Sequence, residues 1–224
     1  MILAVIGIVL ISGCIQEEVE KRGKIIEPAA TTQLTFLDLA GDPDWSPDGT
    51  KIARTRYRGE NASIWVMNAD GSGKTQLTTE EDGICVRHSF SYDGSKIVYI
   101  KGAIYGLPGR ESGSNEIWVM DNDGSNKHQI FASTDGLSLI FQRAWNKDNK
   151  ILFMYRGIQE YVVPRPSDWV INSDGSNPHP VVQNFSYICG DPVWSNDGTK
   201  VAITRIPIRG EGFAPDVFVF SWGE

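Results

Sequence analysis

Short apolar stretches alternate with polar turns along most of this chain. In the clearest unit the pattern predicts strands at Lys51–Thr55, Ser63–Met67 and Lys74–Thr78, separated by turns at Asp48-Gly49 and Asp70-Gly71. A tight hairpin needs positive φ, which glycine adopts at little cost. No window sustains the apolar period of a helix. The sequence therefore predicts an all-β chain from about residue 31.

This unit recurs four times. The segment from Asp42 to Ala53 (DPDWSPDGTKIA) returns almost unchanged from Asp191 to Ala202 (DPVWSNDGTKVA), and weaker copies run from Ser89 to Val98 and from Ala144 to Leu152. The turn aspartates of the four copies, which are Asp48, Asp93, Asp148 and Asp197, are 45, 55 and 49 residues apart. One four-stranded propeller blade occupies roughly 40–50 residues.

The repeated core, Asp-Pro-x-Trp-Ser-x-Asp-Gly-Thr-Lys followed by Ile-Trp-Val-Met and Asp-Gly-Ser, resembles the PD40 (WD40-like) repeat of TolB-type β-propellers. The resemblance covers about residues 31–224 and implies a propeller of four blades. The family usually builds six or more blades. The chain therefore either closes a small four-bladed ring or forms an open arc that pairs with something else, including a second copy of itself.

A four-residue segment near the start bears on ring closure. Thr32-Gln33-Leu34-Thr35 recurs as Thr75-Gln76-Leu77-Thr78, the outer strand of the first blade, whereas the last copy runs out at Asp216–Phe220 without an outer strand. We expect the N-terminal strand to complete the last blade, because this would remove both exposed sheet edges.

The N-terminus carries a secretion signal. Residues 1–13 are mostly apolar and too short to span a bilayer, which takes about 20 residues. Ile11-Ser12-Gly13-Cys14 resembles the lipobox of prokaryotic lipoproteins, which implies that Cys14 is lipid-modified. We therefore predict a signal peptide at 1–13, a lipidated cysteine and charged tether at 14–30, and the propeller at 31–224. No Lys or Arg precedes the apolar run, so the alternative is that the segment stays attached as an uncleaved anchor. The protein would be exported and held at the membrane or cell envelope by its lipid.

Composition agrees with a folded domain. The chain has 224 residues, is 41% hydrophobic and carries a formal net charge of −7, which argues against nucleic acid as a partner. Two cysteines besides Cys14 remain. Cys85 and Cys189 lie five residues before the strand aromatics Phe90 and Trp194, so they are equivalent and either form a disulfide or stay thiols.

Polar residues also recur at one repeat position. Three residues before each strand aromatic stand Asp42, Arg87, Gln142 and Asp191, and His88 lies beside them. Equivalent positions in a propeller form a ring around its axis, so these residues are expected to meet at the channel mouth, where one interpretation is a polar site for a cation or a charged ligand group. The alternative is that these charges pair with one another.

Long loops predict a binding face. Three of them, Lys101–Asn115, Arg156–Asp168 and Arg205–Pro215, are expected on one side of the propeller. They contain aromatic and arginine residues of the types enriched at interface hot spots, namely Tyr105, Arg110, Tyr161, Arg165, Arg209 and Phe213.

Catalytic motifs are not recognisable, and no cofactor or metal site is predicted. The segment Gly71–Thr75 looks like the end of a phosphate-binding loop, but Asn68 stands where that motif needs its first glycine. We therefore predict a non-enzymatic scaffold that binds a protein, peptide or glycan. The alternative is a lyase or hydrolase that uses Asp42, Asp191, Arg87 and His88 at the channel mouth.

Overall fold

The structure, a computed structural model, describes residues 31–36, 39–102, 115–132, 136–139, 144–157, 168–181, 187–207 and 216–222. The chain divides into two compact units, Met1–Leu34 and Thr35–Glu224. All described strands belong to the second unit, and one short 3-10 helix lies at Glu80–Asp82.

Four antiparallel sheets follow one another along the chain. The first contains β1 (Leu39–Trp45), β2 (Lys51–Arg58), β3 (Asn61–Asn68) and β4 (Thr75–Gln76). The second contains β5 (Cys85–Phe90), β6 (Lys96–Gly102), β7 (Asn115–Asp121) and β8 (His128–Ala132). The third contains β9 (Gly136–Leu139), β10 (Lys150–Gly157), β11 (Asp168–Asn172) and β12 (His179–Pro180). The fourth contains β13 (Tyr187–Trp194), β14 (Lys200–Pro207) and β15 (Asp216–Ser221). Consecutive strands are neighbours in every sheet, so the predicted all-β repeat is confirmed.

The Asp-Gly turns are fixed by their aspartate side chains. Asp48 Oδ1 accepts hydrogen bonds from Ser46 Oγ at 2.6 Å and from Thr50 N at 3.0 Å, and Asp93 is bonded in the same way by Ser91 and Ser95. The hydroxyl of the preceding serine is the main cause of a pKa of Asp48 below its usual range. The serine or threonine on either side of Asp-Gly therefore helps to determine where each hairpin turns.

The third repeat replaces this turn chemistry. Asn146 Oδ1 accepts the backbone N–H groups of Asp148 and Lys150, and Asn149 adopts φ of 56° where the other repeats have glycine. The strand before this turn also differs from the prediction, because β9 ends at Leu139 and Trp145 forms only an isolated bridge with Ile151.

Neighbouring sheets pack face to face in chain order. Ala53 and Val66 of the first sheet share a buried cluster with Phe90 of the second. Val98, Val119 and Trp145 join the second sheet to the third, and Leu152, Val170 and Trp194 join the third to the fourth. At each junction, an aromatic residue of the following repeat (Phe90, Trp145 or Trp194) thus shares a buried cluster with the preceding sheet.

The predicted closing strand is not seen in the described residues. Segment 31–36 adopts no strand, and the fourth sheet has three strands. Of the outer strands that do form, β8 has five residues, whereas β4 and β12 have only two. Such short pairing gains little, and the closing strand would also have to offset the entropy of closing a loop of most of the chain.

Candidate functional site

A cavity of about 690 Å³ is lined by the ends of β1, β5 and β13, by the turns that follow them, and by Trp145 of the third repeat. Its walls are aromatic, formed by Trp45, Phe90, Tyr92, Trp145 and Trp194. Trp45 and Tyr92 are 56% and 51% exposed, whereas the other three are buried. A concave, largely apolar wall with a few fixed polar groups is the usual form of a ligand pocket.

Asp44 and Ser89, which lie on strands, and residues of the Asp-Gly turns supply the polar groups that line the cavity. Ser46, Ser91 and Ser195 all line the cavity. Ser91 Oγ donates to Asp93 at 2.7 Å and accepts from Lys96 N at 2.9 Å, so the turn already fixes its orientation. The rim is thus rigid, because the hydrogen bonds that shape the hairpins also hold these hydroxyls in place.

Sequence reasoning missed this cavity. The sequence pattern indicates only that Trp45, Trp145 and Trp194 are strand residues, although they stand at the same position of their repeats. The reasoning that placed the residues three positions earlier around an axis applies equally to Trp45, Phe90, Trp145 and Trp194. Tyr92 occupies the turn position that Pro47 and Asn196 hold in other repeats, and these two also line the cavity.

A second, polar cluster is formed by residues of β1, β2 and β5. Asp42 Oδ2 accepts hydrogen bonds from Tyr57 Oη at 3.0 Å and from Thr55 Oγ1 at 3.3 Å. Thr55 Oγ1 lies 3.5 Å from His88 Nδ1 of the second sheet. The structure therefore brings together two predicted site residues, Asp42 and His88, and adds Tyr57 and Thr55.

Asp42 and Arg87 share an unusual backbone conformation. Their φ angles are 50° and 48°, in the left-handed region that residues other than glycine rarely occupy. Both lie at register shifts, between Gly41 and Asp44 and between Val86 and Ser89. Such bulges redirect side chains and are over-represented next to functional sites.

Tyr57 connects these residues electrostatically. Burial and then the Asp42 carboxylate raise the pKa of Tyr57 to about 12, and the Arg87 guanidinium acts in the opposite direction. A Cβ atom at Gly41 would lie 3.0 Å from Tyr57 Cε2. Glycine at this position therefore allows the phenol ring to rest against β1 with its hydroxyl on Asp42.

His88 is held as a neutral imidazole. The residue is 2% exposed, and its burial lowers its pKa from 6.5 to about 4, although the Ala53 backbone and Asp42 oppose the shift. No hydrogen-bond partner of its Nε2 lies among the residues that the structure describes. A neutral, enclosed ring of this kind favours a packing role over proton transfer near pH 7.

Several predicted site residues lie outside the described part of the chain. These are Cys14, Gln142 and all six loop residues, Tyr105, Arg110, Tyr161, Arg165, Arg209 and Phe213. Asp191 and Cys189 lie on β13, but their side chains are outside the described atoms. Cys85 is a buried free thiol, and burial raises its pKa to about 11. The structure thus shows Cys85 packed as a small hydrophobe rather than in a disulfide.

Metal ligands do not cluster in the regions that the structure describes, where no group of three or more His, Cys, Asp or Glu side chains is close enough to hold an ion. Within the same regions, no helix has the length and apolar character needed to cross a membrane.

Comparison with known proteins supports the fold. No protein-family model matches the chain. An uncharacterized protein of Agrobacterium fabrum, Atu1656, is 27% identical over 124 residues, which are 55% of this chain and 42% of that protein. The structure of a putative TolB from Agrobacterium tumefaciens is similar with a TM-score of 0.62 and 17% identity, covering 84% of this chain and 64% of the other. Oligogalacturonate lyase from Vibrio parahaemolyticus is similar with a TM-score of 0.59 and 17% identity, covering 79% and 50%. The chain thus spans less than two thirds of each of these proteins.

The sheets, their order and these similarities define a β-propeller. More narrowly, the fold is TolB-like.

Proposed function

We propose that this chain is an exported, membrane-anchored lipoprotein whose propeller binds a protein, peptide or glycan without chemical conversion. The observation that carries the binding role is the cavity with aromatic lining residues. It is lined by residues of β1, β5 and β13 together with Trp145, and it leaves Tyr92 about half exposed. Exposed aromatic surfaces beside fixed hydroxyls suit sugar rings and extended peptide segments alike, because both present apolar faces and polar edges.

Tyr92 offers the sharpest test of this role. It is 51% exposed and lies on a turn, so replacing it removes ligand surface with little effect on folding. The full chain, solubilised in detergent, serves as bait for membrane extracts, with bound proteins, peptides and glycans identified by mass spectrometry. We expect Tyr92→Ala to lose ligands that the wild type and Tyr92→Phe retain. Equal recovery by all three variants would contradict binding at the cavity.

Anchoring rests on the lipobox resemblance and has its own test. Growth with a radioactive fatty acid should label the wild-type chain, and Cys14→Ser should abolish the label. Label that survives this substitution would contradict lipidation at Cys14. TolB-like neighbours support an envelope role without specifying the partner.

A catalytic alternative is favoured by one observation, the hydrogen-bonded group of Asp42, Tyr57 and His88 with Arg87 on the matching bulge. A lyase with a similar fold makes uronate polymers reasonable substrates to screen. We expect no turnover, since His88 is buried and neutral. Turnover that disappears in Asp42→Asn would replace the binding hypothesis with an enzymatic one.

A further inference from the structure

The outward face of the fourth sheet lacks the cover that the first three sheets have. The third strand of every sheet carries a valine at one matched position, and these are Val66, Val119, Val170 and Val219. The first three are 5%, 0% and 0% exposed, whereas Val219 is 60% exposed. Two residues earlier, Ile64 and Ile117 are fully buried, but Val217 is 73% exposed.

The first sheet has an aromatic residue that lacks a preceding sheet to pack on in the described part of the chain. The last residue of its inner strand is Trp45, which corresponds to Phe90, Trp145 and Trp194 in the other repeats. Those three are 5%, 4% and 3% exposed, whereas Trp45 is 56% exposed. Leu39, at the other end of the same strand, is 72% exposed.

Each internal junction joins these two kinds of face. The aromatic residue of the following repeat shares a buried cluster with a pair of residues that face each other on neighbouring strands of the preceding sheet. The pairs are Ala53 and Val66 for Phe90, Val98 and Val119 for Trp145, and Leu152 and Val170 for Trp194. The fourth such pair, Ala202 and Val219, has no aromatic residue of a following sheet beside it among the described residues. The first and fourth sheets therefore each present one half of such a junction.

We propose that a second copy of this chain completes both junctions. Trp45 of one protomer packs against Ala202 and Val219 of its partner, and the partner's first sheet packs in the same way on the fourth sheet of the first protomer. Two four-sheet arcs joined at both ends give a ring of eight sheets, the upper end of the size range usual for propellers. A two-fold axis closes this assembly, which avoids open-ended growth.

The chemistry of the faces favours this occupant. At the first junction, Asp44 accepts a hydrogen bond from Phe90 N at 2.9 Å, so a polar group fastens the next sheet. The residue that matches Asp44 in the fourth sheet is Val193, which adds an apolar side chain to Ala202, Val217 and Val219 on the outward face. The polar residues on this face, Lys200, Thr204 and Ser221, flank that apolar patch in the strand register. An apolar face is suited to a tryptophan and a leucine, which are the exposed residues on the first sheet. The surface thus continues an interface that the chain already forms three times.

Cross-linking tests the proposal directly. Two differently tagged full-length chains, one carrying Trp45→Cys and the other Val219→Cys, are co-expressed and treated with a short bis-maleimide. We expect a heterodimer that contains both tags. The matched control is Val66→Cys in place of Val219→Cys, which should give only the background of the chain's own cysteines because Val66 is buried.

A double variant and a mass measurement complete the test. A chain with both cysteines that links only within itself would overturn the proposal in favour of a ring closed by one chain. Light scattering of the detergent-solubilised wild type should give a protein mass twice that of one mature chain, and Val219→Asp should return it to one chain. Tyr92→Ala, which alters an exposed aromatic residue on a turn, should leave the mass doubled. A wild type of single-chain mass would also refute the second copy.

Discussion

Acidification should destabilise this protein through His88 before it affects the turn aspartates. The imidazole is buried with a pKa lowered from 6.5 to about 4, so the unfolded chain takes up a proton in a pH range where the folded chain does not. The contribution of neutral His88 to the free energy of unfolding is therefore fully present above about pH 6.5, and it is lost as the pH decreases to about 4. A shift of this size corresponds to about 3 kcal/mol of unfolding free energy. The turn aspartates have pKa values below 3.8 and contribute only at lower pH.

Urea unfolding monitored by tryptophan fluorescence at several pH values between 7 and 4 measures this effect. In wild type the free energy of unfolding should decrease by about 3 kcal/mol between pH 7 and 4 because of His88, and in His88→Gln this part of the decrease should be absent. The substitution also changes the stability at pH 7, but by an amount that does not vary with pH. The matched control is His128→Gln, because this histidine is exposed on β8 rather than buried between sheets. If His88→Gln lost stability with the same slope as the wild type, the argument that His88 is buried and neutral would be wrong.

Three further outcomes are expected. Trp194→Phe should cost about 1–2 kcal/mol in urea unfolding, because the indole N–H donates to Ala144 O at 2.9 Å across the junction of the third and fourth sheets. Gly41→Ala should displace the Tyr57 ring and return the pKa of its phenol from about 12 toward 10, measured by ultraviolet titration against Tyr57→Phe; an unchanged titration would contradict the contact. Cys85 should resist iodoacetamide at pH 8 in the folded protein and react in urea, as mapped by mass spectrometry, and rapid native labelling would contradict its burial.

Most of the fold was predictable because it rests on local chemistry. The Asp-Gly turns, flanked by hydroxyl residues that bond the aspartate, lie where the sequence places them, and the apolar stretches between them form strands. The register of each hairpin follows from its turn. Predictions that required distant segments to meet fared differently. The expected pairing of residues 32–35 with the last sheet is not seen in the described residues.

Part of the candidate site was likewise predictable from the repeat, and the rest depends on the tertiary structure. Repeat arithmetic placed Asp42 and Arg87 at equivalent positions, and the structure gives them the same strained backbone. It could not identify Tyr57 as the partner of Asp42, because these residues are 15 positions apart and meet only through the pairing of β1 with β2. The burial that keeps His88 neutral likewise depends on the packing of one sheet against the next.

Val66 and Val219 show what the sequence by itself determines and what it leaves to the tertiary structure. They are the same residue at the same place in two copies of one repeat, and the sequence determines that both stand on the same face of their sheets. Only the tertiary structure decides that Val66 is 5% exposed and Val219 60% exposed. The physical reason is that hairpins depend on neighbours a few residues away, whereas burial depends on which sheet packs on the outside.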